Sequence, residues 1–146
     1  MKNNGFMKFA FPSSPHRERV NVAILLGRIA FAILLAYHGL VKLATFGDLA
    51  PEFPNPFGFG GEASLAIVIF VEVVGALFII PGFITRLVAI PVAIVMLVAY
   101  FFVHGASLIE GELSLIYAIV FILLAITGAG KYSIDHKIHK KFRHSA

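Results

Sequence analysis

The chain contains no cysteine and no tryptophan among its 146 residues, and only 14% of them are charged. Without thiols there is no disulfide framework, no thiolate metal site and no thiol redox relay. So little charge excludes a water-facing surface for a domain of this size, since soluble domains carry about 25% charged residues. Polar low-complexity tracts are scarce, and 59% hydrophobic residues with a mean hydropathy of +0.90 exclude a disordered chain. No glycine-rich phosphate loop, zinc-protease motif, nucleophile elbow or DNA-reading motif occurs. What the chain does have is long apolar runs, which read as one small integral membrane domain.

Four such runs stand between Gly, Pro or charged residues: about Val20 to Phe46, Ser64 to Pro81, Arg86 to His104 and Leu113 to Thr127. At 1.5 Å per residue, a hydrocarbon core of about 30 Å needs roughly 20 residues, with 17 tolerated. The first three suffice. The fourth is short and must extend into its flanks. No period-2 alternation supports strands, and backbone in lipid must satisfy its own hydrogen bonds, so helices are expected. The expected fold is an all-α four-helix transmembrane bundle over residues 20–130. A basic arm, residues 1–19, precedes it and a basic tail, residues 131–146, follows it.

Charge is distributed unevenly between the connections. Lys2, Lys8, Arg17 and Arg19 precede the first run, Arg86 lies between the second and third, and Lys131, Lys137, Lys140, Lys141 and Arg143 follow the fourth. The other two loops hold Asp48, Glu52, Glu62, Glu110 and Glu112 and no Lys or Arg. The positive-inside rule then puts both termini in the cytoplasm, which requires an even number of crossings. The first run is too long for a signal-peptide core and lacks a small-residue cleavage site, so an uncleaved helix is expected. The lipid bilayer is the expected partner of the basic tail, with each Lys or Arg contributing about 1 kcal/mol of attraction to an anionic leaflet. Nucleic acid is not an expected partner, because the tail is small and the chain is anchored.

Asp48 to Gly61 combines Pro51, Pro54 and Pro56 with three glycines and with Phe53, Phe57 and Phe59. Proline restricts φ and glycine permits tight turns, so a shaped, non-helical loop is expected. Its aromatics serve as an interfacial anchor, as a lid on a cavity between the helices, or as ligand contacts.

Ionisable groups inside a span cost about 2.5–3.5 kcal/mol each, so they are the candidates for function. Arg28, His38 and Lys42 lie on the first helix, Glu72 on the second, and His104 ends the third. At 100° per residue the first three fall within an arc of about 80°, a single face that must look into the bundle. Counting depth from the start of each run separates Arg28 and Glu72 by about 6 Å, so an Arg28–Glu72 ion pair is expected, as a helix lock or as part of a site. His38 and His104 come out at one depth. With Lys42, Glu110 and Glu112 they form an expected polar cluster near the acidic loops, with Tyr37, Tyr100 and Tyr117 lining it or forming interface belts. The candidate ligand-binding set is therefore Arg28, His38, Lys42, Glu72 and His104. No metal site and no catalytic residue is assigned. Pro91 is placed to kink the third helix, and Gly27, Gly39 and Gly75 to allow close helix contact.

Arg28, the segment Tyr37-His38-Gly39-Leu40-Val41-Lys42-Leu43, Glu72 with Gly75 and Gly82-Phe83-Ile84-Thr85-Arg86, and Gly128-Ala129-Gly130-Lys131-Tyr132-Ser133-Ile134-Asp135 occur in that order. In this the chain resembles the DoxX family of small four-helix bacterial and archaeal membrane proteins, over about Val20 to Asp135. The resemblance implies a place in a prokaryotic inner membrane and a redox-associated subunit that partners a soluble or membrane oxidoreductase. Its name derives from a subunit of thiosulfate:quinone oxidoreductase. It implies carry-over of Arg28, His38, Lys42, Glu72 and Arg86, while the absence of Cys removes any thiol chemistry from this chain. Three functions stay open: a quinone-linked subunit with quinone as the bound cofactor, a non-enzymatic module for solute or lipid transport or partner recruitment, and a haem protein using His38 and His104. A lipid-facing Ile, Val and Phe surface also leaves a homo-oligomer open.

Overall fold

The computed structural model describes residues 17–143. Helix α1 spans Arg17–Ala44, and a short helix α2, Phe46–Leu49, leads into a 3₁₀ turn, Ala50–Glu52. Helix α3 spans Gly61–Ile79, α4 spans Thr85–Val98 and runs into a π turn, Ala99–Val103, and α5 spans Leu108–Thr127. Helix α6, Ile134–Arg143, ends the described chain. Four of these segments are long and apolar enough to cross a membrane, α1, α3, α4 with its π turn, and α5, and no strand occurs among the described residues.

Helix α1 packs most closely on α3, and α4 on α5. Helices α3 and α4 join the two pairs, and the α1–α5 seam is thin. Lipid offers no hydrophobic force between helices, so small residues must let backbones approach and pack. Ala32, Ala76, Ala89, Ala93 and Ala118 do this in the core, around Leu35, Val92 and Phe121. A Cβ on Gly39 would come within 2.7 Å of Val73 Cγ2, and one on Gly75 within 2.9 Å of Val92 Cγ2. Gly27, by contrast, has nothing within 4 Å and does not serve a helix contact. Leu26, Ile33, Leu77, Leu87 and Ile126 stand on the outside, as lipid-facing residues should.

Several boundaries differ from those read in the sequence. Arg17, Glu18 and Arg19 of the expected arm already belong to α1, while the rest of the arm and His144 lie outside the described residues. Helix α5 starts at Leu108, with Ser107 accepting from the Glu110 amide at 3.4 Å, which gives the fourth span the length it lacked. The first acidic loop opens with two helical turns, α2 and Ala50–Glu52, and is non-helical only from Phe53 to Gly60. Helix α4 continues through Pro91, whose ring faces outward, and the irregularity falls later, in the π turn. The tail leaves the bundle only after Asp135. Helix α6 then carries Ile134, Ile138 and Phe142 along one face and Lys137, Lys140, Lys141 and Arg143 elsewhere on its surface.

Candidate functional site

The two ends of the bundle are built differently. At the basic end, the segment after α5 folds back over the α3–α4 turn. Arg28 is 2% exposed and donates from Nη1 to the Ala129 carbonyl at 2.8 Å and from Nη2 to the Tyr132 carbonyl at 2.9 Å. Gly82, at φ 73°, lies against that guanidinium, since a Cβ there would meet Arg28 Nη1 at 2.1 Å. The Asp135 carboxylate accepts from the Ile84 and Thr85 amides at 2.7 and 3.0 Å, capping the free N–H groups at the start of α4. The Ile134 and Asp135 amides donate to the Pro81 and Gly82 carbonyls. Outside this cap, Arg86 donates to the Thr127 carbonyl at 3.4 Å. Lys131 bonds Glu18, whose second oxygen accepts from the Tyr132 hydroxyl at 3.1 Å. The hydrogen bond from Lys131 to Glu18, with the attraction of the same carboxylate, raises the Lys131 amine above its ordinary pKa.

At the acidic end a cavity of about 490 Å³ opens between the helices, within the range of about 300–1,000 Å³ usual for ligand pockets. Its polar side is formed by His38 and Lys42 of α1, Glu72 of α3, His104 and Tyr117, with Ser64 and Ser114 nearby. Its walls are apolar, from Leu35, Ile67, Val68, Ile94, Val95 and Met96. The acidic loop closes it with Phe53, Pro54, Pro56, Phe57 and Phe59. Phe57 ties that lid to the π turn through Phe102, with ring centroids 6.4 Å apart. Gly61, where a Cβ would meet the Ala50 carbonyl oxygen at 2.5 Å, lets α3 start hard against the lid. The π turn carries Ala99, Val103 and His104 to the cavity, in keeping with the frequency of such turns at binding sites.

Lys42 Nζ lies 2.5 Å from Glu72 Oε1, while Glu72 Oε2 is buried with no partner. Tyr117 is 3% exposed and is held by an edge contact from Phe31 at 5.7 Å, another from His38 at 5.8 Å, and stacking on Phe121 at 6.2 Å. The Tyr117 hydroxyl and the His38 ring make no hydrogen bond among the described residues.

The expected Arg28–Glu72 pair is not formed. Glu72 Cβ lies 3.0 Å from where a Cβ on Gly39 would be, so α3 is in register with residue 39 of α1. Arg28, eleven residues earlier, is about 16 Å further along the helix. Counting depth from Val20 erred because α1, at 28 residues, extends well beyond the 19-residue α3. Arg28 therefore does not line the cavity, whereas His38, Lys42, Glu72 and His104 meet around it. Glu110 and Glu112 are exposed on α5 and take no part in the lining. Of the tyrosines, only Tyr117 lines it. Tyr37 is exposed, and Tyr100 donates to the Ala106 carbonyl at 3.0 Å. Ser64 and Ser114 were not marked in the sequence, where an isolated serine in an apolar run carries no signal. No group of three or more His, Asp or Glu suited to a metal ion occurs among the described residues.

Fold and site together define a small multi-pass membrane protein with a mostly apolar cavity near one end of its bundle. The DoxX family model matches residues 23–105, and the chain belongs to the DoxX family. It is similar to inner membrane protein YqjF of Escherichia coli, at 34% identity over 128 residues, covering 84% of this chain and 96% of that protein. An uncharacterized protein of Haemophilus influenzae is 32% identical over 122 residues, 78% of this chain and 89% of the relative. A second from that organism is 28% identical over 103 residues, 66% and 68% of the respective chains. No solved structure matches the chain. The chain is accordingly an inner-membrane protein of the prokaryotic type.

Proposed function

We propose that the chain binds a small lipid-soluble ring of the quinone type in the cavity at its acidic end and serves as the membrane subunit beside an oxidoreductase. The observation that carries this reading is the cavity itself: apolar and aromatic walls around one group of polar side chains, with Glu72 Oε2 buried and without a partner. Unpaired polar groups away from water are costly, and a ligand oxygen is the natural partner for them. Lys42 and His38 supply donors to such an oxygen, and the phenylalanine lid supplies flat surface for the ring. The chain has no thiol, so in this reading the partner enzyme delivers or removes electrons. In this reading the basic end and both termini face the cytoplasm, the side the positive-inside rule favours for them.

Calorimetric titration of a short-chain quinone into the protein in lipid nanodiscs tests the reading. Saturable binding is expected, weakened at least about tenfold in His38→Ala and Lys42→Met. Absence of saturable heat, or binding untouched by both substitutions, overturns it. The presence of His38 and His104 on one cavity favours a second reading, bis-imidazole haem ligation. An absorption spectrum after haem addition separates the two: a Soret band lost in His104→Ala supports haem, and no Soret band removes it.

A further inference from the structure

We infer that the cavity selects a ring bearing a hydroxyl group, a phenol or the reduced quinol form, over the same ring bearing only carbonyl or ether oxygens. This rests on the cavity-binding reading above and adds which oxygen function the site is built to hold.

The polar groups have an uneven donor and acceptor supply. Lys42 has three N–H donors and gives one to Glu72 Oε1, at 2.5 Å. That ammonium pairs Glu72 as a carboxylate, which only accepts. Its second oxygen, Oε2, is fully buried on a residue 1% exposed and has no donor. Such an orphaned acceptor is costly, more so for a charged group at membrane depth. His38 and Tyr117 share the cavity with Glu72, and neither donates to Oε2. The Tyr117 ring is held by edge contacts from Phe31 and His38 and by stacking on Phe121. A carbonyl or ether oxygen on the ligand can accept from Lys42 but brings Oε2 nothing. A hydroxyl can accept from Lys42 and donate to the carboxylate together. Sites built to hydrogen-bond an O–H discriminate strongly against analogues lacking it, because the buried group is then left unpaired.

Redox-inert probes test this without electron transfer: 1-naphthol and 1-methoxynaphthalene, titrated into the full chain in nanodiscs and corrected with empty nanodiscs. Naphthol is expected to bind at least about tenfold more tightly, as a hydrogen bond to a charged acceptor would give. Glu72→Gln, which offers an amide in place of the carboxylate, is expected to erase that preference. Should the variant not fold, infrared difference spectra of the wild type replace it. Naphthol then shifts a carboxylate stretching band that the ether leaves in place, and a band unmoved by naphthol overturns the inference. Equal affinity, or preference for the ether, overturns the hydroxyl selection and leaves ring binding standing. If neither probe binds, the cavity reading falls and the selection with it.

Discussion

The ammonium of Lys42 stands 2.5 Å from Oε1 of Glu72, linking α1 to α3 through a carboxylate that is 1% exposed. With Glu72 buried and Lys42 partly so, desolvation offsets much of the attraction while the pair is intact, but removing the lysine leaves an uncompensated buried charge.

Lys42→Met is therefore expected to lower unfolding stability in detergent by about 3–5 kcal/mol. The double variant Lys42→Met with Glu72→Leu should regain most of that loss. A double variant as unstable as the single one would show that the charge left on Glu72 is not the cause.

Arg28 holds the returning C-terminal segment through two carbonyls at 2.8 and 2.9 Å. A lysine presents a point charge instead of a planar fork and can keep one of these bonds at best. Arg28→Lys should cost about 1–3 kcal/mol. Amide exchange should quicken over residues 128–135 while the lid at residues 53–59 stays as it was. Mass-spectrometric hydrogen exchange reads both regions at once, and uniform quickening would contradict a local clasp.

Two glycines on α1 make a matched comparison. Gly39→Ala brings a methyl within 2.7 Å of Val73 Cγ2 and 3.0 Å of Glu72 Cβ, so α1 and α3 must part. A loss of about 1–3 kcal/mol is expected from overpacking. Gly27→Ala meets nothing within 4 Å. It should be neutral or stabilising by up to about 1 kcal/mol through helix propensity. Thermal unfolding of the two variants side by side decides, and equal effects would refute the contact assigned to Gly39.

The Lys131 amine, raised by its hydrogen bond to Glu18, should titrate later than a free lysine. A raised folded-state pKa means that the contribution is complete below the ordinary lysine value and is lost as pH climbs through the folded one. NMR of labelled lysine follows the titration. Glu18→Gln should return it toward the ordinary value, and added salt should weaken the effect because the pair is exposed.

Hydropathy and span length, both properties of local composition, were enough to establish four apolar helices, and the cost of charge in lipid was enough to mark His38, Lys42, Glu72 and His104. The order of glycine and charged segments was enough for the family. Which of those charges meet was decided only in three dimensions. Partner choice depends on how far one helix slides past another, and that register is set by the Gly39 contact and by the cap over Gly82, neither of which depth counting along a single helix contains. The same holds for Arg28, whose place on the polar face of α1 was legible while its carbonyl partners, more than a hundred residues away, were not. The lid too was visible as a loop of proline, glycine and phenylalanine, but its seat over the cavity comes from the close start of α3 at Gly61 and the contact of Phe57 with Phe102 of the π turn, contacts between segments that no local pattern encodes.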